Sequence, residues 1–189
     1  MNHDNPIIDL PDILTERLLL RKIRIDDSEP MFAYASHPDV SRFTTWETHK
    51  SIGNTNQFIS FLLRQYEASE PSNWGITLRE TQQLIGTCGF MYWDREQRLA
   101  EIGYALAKDY WGRGLMVEAV RQIIEFAFER MAVERVIARC HIDNLASERV
   151  MQKIGMTFEN LLRKNIQIKG EYVDVKKYVI TIEQYNSLK

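Results

Sequence analysis

Residues 110–118 read Tyr110-Trp111-Gly112-Arg113-Gly114-Leu115-Met116-Val117-Glu118, and the two glycines one residue apart are the chain's main chemical signal. Before them, Ile102, Tyr104 and Leu106 alternate with smaller residues, as on a strand with one bulky face. After them, Met116, Val120, Ile123, Ile124, Ala127 and Met131 fall on one helical face. Such a strand–glycine–helix turn leaves the helix's first N–H groups unpaired. Glycines let another group approach the backbone, and the helix N-terminus favours negative charge, so the turn suits a phosphate or pyrophosphate. Four readings meet here. A plain packing turn is the simplest. A Rossmann site wants a third glycine, and Val117 follows instead. A Walker A loop wants Gly-Lys-Ser/Thr, which does not follow. The fourth is a loop for the pyrophosphate of coenzyme A.

The other reactive residues are sparse. Cys88 and Cys140 have no metal-ligand spacing, which predicts no metal, no disulfide framework and a reducing, cytoplasmic setting. No Cys–His pair suggests a nucleophile, since His141, next to Cys140, would point to the opposite strand face. His49 has no partner at ligand spacing and is expected on the surface. A net charge of −2 over 189 residues gives no reason to expect nucleic-acid binding, and no apolar run approaches a membrane span. The N-terminus carries Asp4, Asp9 and Asp12 without a basic start, so a signal peptide is not expected.

The elements that must hold the glycine turn follow from pattern. Residues 1–14 read as an arm, held to the surface by Ile7, Ile8 and Leu10, ahead of one domain over 15–189. A first strand is predicted over about 18–24. A helix capped by Asp26 or Asp27 follows, ending near His37-Pro38. An irregular link over 39–53 leads to a helix over 54–68 with Phe58, Phe61, Leu62 and Tyr66 inward. Strands over 74–79, 84–93 and 99–107 run antiparallel into the turn. After the long helix come a strand over 133–141 and a helix from an Asn144 N-cap to Gly155, with Val150, Met151 and Ile154 inward. A hairpin over 158–165 and 172–181, turning at Lys169-Gly170, and a short tail over 184–189 complete the chain. This order is an α/β fold: one mixed, mostly antiparallel sheet flanked by helices.

With Glu101-Ile102-Gly103-Tyr104 before it and an amphipathic helix after it, Gly112-Arg113-Gly114 resembles the acetyl-CoA motif of GCN5-related N-acetyltransferases. The branch that acetylates ribosomal-protein N-termini is the most similar. Asp109 stands where the general motif carries Gln or Arg, while the ribosomal branch more often shows the Tyr-Trp-Gly-x-Gly form found here. The opening Thr15-Glu16-Arg17 and the phrase Asn144-x-x-Ser147 ahead of Lys153-x-Gly155 resemble the same branch, so the likeness covers about 15–181.

The resemblance implies direct acetyl transfer from acetyl-CoA to a primary amine, most of all a protein N-terminal α-amine. A small amine such as a polyamine, amino acid or antibiotic is the rival acceptor, and a non-catalytic acyl-CoA-binding module or a nicotinamide-binding protein are readings from other classes. It implies a monomer or homodimer. The coenzyme is expected on the backbone of Tyr104, Ala105 and Leu106, where that strand diverges from the next, and on Gly112, Arg113, Gly114, Leu115, Met116 and Asn144. Glu101 is the implied base, with Glu159, Asp143 and Asp174 as lesser candidates. Met151 occupies the family's usual tyrosine position and a thioether donates no proton, so Ser147 becomes the implied acid. Trp46 is the implied wall of the acceptor pocket, and Cys140 is expected near the coenzyme sulfur.

Overall fold

The computed structural model describes residues 10–189. Eight strands form one sheet: β1 (Ile13–Leu14), β2 (Leu18–Lys22), β3 (Asn73–Leu78), β4 (Leu84–Asp94), β5 (Leu99–Leu106), β6 (Arg135–His141), β7 (Thr157–Ile168) and β8 (Glu171–Thr181). Their order is β1-β2-β3-β4-β5-β6-β8-β7, and every neighbouring pair is antiparallel except β5 with β6. Among the described residues the α-helices are α1 (Ser28–Ala35), α2 (Pro38–Ser41), α3 (Ile52–Glu67), α4 (Leu115–Arg130), α5 (Leu145–Lys153) and α6 (Ile182–Ser187). The expected mixed, mostly antiparallel sheet flanked by helices is the observed architecture.

Two apolar clusters sandwich the sheet. On the first face, Val120, Ile123, Ile124 and Ala127 of α4 and Met151 of α5 pack against Trp74, Phe90, Ile102, Ala138 and Ile180. The stripe foreseen for α4 is buried in full. On the second face, Met31, Tyr34 and Ala35 of α1 and Ile59 and Leu62 of α3 pack on Ile23 and Leu84. Alternation along β5 assigns Ile102, Tyr104 and Leu106 to the first face and Glu101, Gly103 and Ala105 to the second.

Local departures from the sequence expectations have physical causes. Asp27 does not cap α1 with its side chain. Both its oxygens accept from Arg21, at 2.8 and 2.7 Å, as a buried pair, and Oδ2 also takes the Arg24 N–H. The link after His37 is not wholly irregular: Pro38 opens the short α2, where its missing N–H is harmless, and His37 Nδ1 accepts from the Asp39 N–H. Helix α3 starts at Ile52 through a Ser51–Asn54 capping box, and Phe61 is exposed while Ile59 is buried. The expected tail is instead α6, capped by Thr181 with Gln184, so a capping box marked a helix too short to show periodicity. Strand β7 runs further than expected, to Ile168, through an irregularity between Leu162 and Ile166. In the arm, Ile7 and Ile8 lie outside the described residues. Leu10 is buried, and Ile13–Leu14 pair with β2.

Under the second-face helices lies a small cavity lined by Met31, Tyr34, Ala35, Trp46, His49, Phe58 and Thr87. His49 is therefore half-buried instead of fully exposed. Its Nδ1 lies 2.8 Å from Thr55 Oγ1, its ring meets Trp46 and Phe58, and burial lowers its pKa.

Two expected outcomes follow. Trp74 is fully buried and its Nε1–H donates to the Pro11 carbonyl at 2.8 Å, so it ties the arm to the core. Trp74→Ala should cost about 3–5 kcal/mol in denaturant unfolding, with Trp74→Phe costing less. For His49, the folded pKa lies below the unfolded one, so the unfolded chain takes the proton first. Its contribution is complete above about pH 6.5 and falls as pH drops from there toward the folded value. The stability difference between wild type and His49→Gln should therefore shrink on acidification, which paired melts across about pH 5 to 7.5 would measure.

Candidate active site

The site begins where the sheet comes apart. Strands β5 and β6 pair from Leu99 with Arg135 to Ile102 with Ala138, and there the parallel ladder stops. Residues 103–106 of β5 and 139–141 of β6 continue as strands without facing each other, while β4 still pairs with β5 as far as Leu106. The expected divergence is thus present. The Ala107 N–H reaches back to the Ile85 carbonyl at 2.7 Å, so by the alternation of an antiparallel ladder Gly103 and Ala105 also turn their backbone groups to β4. Tyr104 and Leu106 turn theirs into the gap, and Trp111 Nε1–H closes the gap's far end by donating to the Leu106 carbonyl at 2.7 Å. Of the three residues expected to offer backbone to a ligand, Ala105 therefore faces away.

Beyond that closure the chain forms the glycine turn. Gly112 and Gly114 have φ of +76° and +77°, a region that disfavours residues with a Cβ. A Cβ on Gly112 would meet nothing within 4 Å, and one on Gly114 only the Arg17 guanidinium at 3.6 Å, so the space over the turn is open. Gly114 is the N-cap of α4 and brings no side chain to the helix's first N–H groups. The N–H groups of Leu115 and Met116 are left for an outside acceptor, although both side chains are buried beneath. Arg113 is exposed, with its guanidinium over the Tyr110 ring.

A second cation stands beside the turn, and the sequence reading missed it. Glu118 of α4 accepts from the Thr15 hydroxyl (2.6 Å), the Arg17 N–H (2.9 Å) and Arg17 Nε (2.7 Å), and Arg17 Nη1 donates to the Arg113 carbonyl at 3.0 Å. Burial works to raise the Glu118 pKa, but these hydrogen bonds outweigh it and the carboxylate is held below its usual range. The partners are about a hundred residues apart, and no local pattern joins them.

The candidate catalytic residues lie on opposite sides of the gap. On the first face, α5 starts with Asn144, whose Oδ1 accepts from the Ser147 N–H at 3.1 Å, so Asn144 is the foreseen N-cap with its side chain committed to that role. Ser147 Oγ is 2.9 Å from the Tyr104 hydroxyl, and Met151 is buried one turn on. Cys140 is buried in the same cluster, and burial pushes its thiol up to about 11. On the second face, both Glu101 oxygens accept from Arg139, at 2.8 and 2.7 Å, and Arg139 also donates to Asn165. This pair sits in an open groove with Met91, Tyr92, Leu99, Ile137, Leu162, Asn165 and Lys177.

Two of the lesser carboxylates are occupied elsewhere. Glu159 pairs with Arg135 and Lys177, and Asp174 with Arg163 and the Lys164 N–H. Asp143 is exposed beside His141. Trp46 lines the small cavity under α1 and α3, on the same face as Glu101. Two contacts tie α2 and its following loop to the far side of the gap: Lys169 Nζ donates to the Ser41 carbonyl at 2.9 Å, and the Phe43 ring stacks on His141 at 5.0 Å. Among the described residues, no cluster of His, Cys, Asp and Glu is placed to hold a metal, and no helix is long and apolar enough to cross a membrane.

Comparison with known proteins shows the family. The family profile described as an acetyltransferase (GNAT) domain matches residues 17–157. The uncharacterized N-acetyltransferase YoaA of Bacillus subtilis (strain 168) is 33% identical over 170 residues, covering 90% of this chain and 96% of its own length. The ribosomal-protein-serine acetyltransferase of Escherichia coli (strain K12) is 28% identical over 101 residues, 53% of this chain and 56% of its own. The crystal structure of a GNAT-family acetyltransferase from Bacillus anthracis superposes with a TM-score of 0.81 at 29% identity, covering 92% of this chain and 99% of that one. The chain belongs to the GNAT family of N-acetyltransferases.

Proposed function

We propose that the protein transfers acetyl from acetyl-CoA directly to a protein N-terminal α-amine. The observation that carries the coenzyme half of this reading is the gap between β5 and β6, which opens after Ile102 and Ala138 and runs to the glycine turn. A pyrophosphate would sit on the N–H groups of 112–116, with Arg113 and Arg17 beside it. The pantetheine arm would lie along 103–106, where the Tyr104 and Leu106 N–H groups are free, and either can meet the carbonyl oxygen as charge develops.

The two faces divide the remaining labour. The amine approaches from the second face, past Trp46 and the Glu101–Arg139 pair. An α-amine near pKa 8 is mostly protonated at neutral pH and must lose a proton before attack. The salt bridge uses two of the four lone-pair sites on the Glu101 carboxylate, so Glu101 can still hold a water that carries that proton away. The leaving sulfur lies toward the first face, beside Tyr104 and Ser147. The ribosomal relative supports a protein acceptor, since its name gives that substrate. A small amine is the second reading. It is favoured by the Lys169–Ser41 and Phe43–His141 contacts, which narrow the way in from the second face. Thiol release from acetyl-CoA, measured against N-terminal peptides and against polyamines and amino acids, decides between them.

Gly114→Val should weaken coenzyme A binding at least about tenfold in calorimetry. It should also cost stability, because Gly114 sits at positive φ. Gly170→Val, at φ +88° in the β7–β8 turn, is the control for strain without a site; it should leave the affinity intact. Glu101→Gln should slow transfer at neutral pH and lose less once the acceptor amine is already deprotonated. An equal loss at every pH would assign Glu101 to positioning.

A further inference from the structure

We infer that the Tyr104 hydroxyl donates the hydrogen bond that stabilises the leaving coenzyme sulfur, with Ser147 holding it in place. This rests on the coenzyme lying in the β5–β6 gap, as proposed above. The usual donor position on α5 is taken by Met151, which is buried and has no proton to give. Ser147 does not stand alone as its substitute. The Tyr104 hydroxyl is 2.9 Å from Ser147 Oγ and 3.1 Å from the Ser147 carbonyl, so the tyrosine side chain crosses from β5 to the first turn of α5. That crossing lies beyond Ile102, where the strands have separated, and so it spans the first-face side of the gap. One residue thus offers its backbone N–H to the gap and its hydroxyl to the gap's wall.

With Ser147 Oγ–H donating to the Tyr104 oxygen, the Tyr104 hydrogen goes to the Ser147 carbonyl in the free protein. That hydrogen can turn from the carbonyl toward a sulfur in the gap while the serine keeps its bond to the tyrosine oxygen. The role is hydrogen-bond donation and not acid catalysis. Burial pushes the Tyr104 hydroxyl up, far above a thiol near 8.5, so its proton stays on oxygen. In the step, the amine nitrogen bonds to the acetyl carbon, the carbon–sulfur bond breaks and its electron pair goes to sulfur. The amine's proton leaves through water on the Glu101 side. The thiolate departs hydrogen-bonded to the hydroxyl pair and takes its proton from solvent.

The test uses free coenzyme A and the whole protein. Calorimetry gives affinity, the ultraviolet absorbance of the thiolate gives the pKa of the bound thiol, and melting gives stability. In Tyr104→Phe the bound thiol should rise in pKa by about one to two units, with kcat falling about ten- to a hundredfold, while affinity and melting temperature hold. Adding Ser147→Ala to Tyr104→Phe should cost little more, because the serine acts through the tyrosine. If Tyr104→Phe does not fold, Ser147→Ala alone carries the test and should move the thiol pKa in the same direction. An unmoved thiol pKa and kcat, with a lowered melting temperature, would reduce the contact to a tether between β5 and α5 and overturn the inference alone. Failure of the wild type to bind coenzyme A would overturn it together with the proposed function.

Discussion

The end of the parallel ladder at Ile102 and Ala138 is the constraint on which everything else in this protein depends. A central strand normally pairs on both edges, since a buried N–H or carbonyl without a partner costs about 1–3 kcal/mol. Strand β5 gives up one edge after Ile102 and keeps the other, held by β4 as far as Leu106. The protein closes the exposed stretch piecemeal. Trp111 takes the Leu106 carbonyl at one end, and Tyr104 throws its side chain across to α5. What stays open is a strip of backbone donors leading to a helix N-terminus without a side-chain cap, a shape and polarity that fit a long, thin, anionic ligand.

Glu118 locks the other end of that strip. By collecting the Thr15 hydroxyl and Arg17, it fastens the segment before β2 to the first turn of α4 and brings a guanidinium to the Arg113 carbonyl. Arg17 is about half exposed, so this pair contributes little to stability by itself. Its effect is local, in fixing the conformation of a turn whose glycines have no side chains to do so. The same economy marks the second face, where Arg139 aligns Glu101 through two hydrogen bonds and Asn165 aligns Arg139.

Much of this was legible in the sequence. The change of period at Leu115, the two glycines and the alternation along β5 predicted a strand–turn–helix unit, because each is a local consequence of backbone geometry. Asn144 was readable as an N-cap from its spacing to the apolar stripe of α5. The contacts that join distant segments were not legible. Nothing local pairs Arg17 with Glu118, Glu101 with Arg139, or Tyr104 with Ser147, since each pairing follows from the sheet order. His49 looked like a surface residue for the same reason, and the packing around α1 and α3 half-buries it. The short helices α2 and α6 escaped because they are too brief for periodicity, although Pro38 and the Thr181–Gln184 box were their signals.

Amide hydrogen exchange with and without coenzyme A tests the central claim most directly, because it reads the free backbone donors one by one. The N–H groups of Gly103 and Ala105 already bond to β4 and should exchange slowly in both states. Those of Tyr104, Leu106, Leu115 and Met116 should exchange quickly in the free protein and gain protection when coenzyme A is added. Protection that spares these four amides, or that gathers elsewhere on the sheet, would contradict the account.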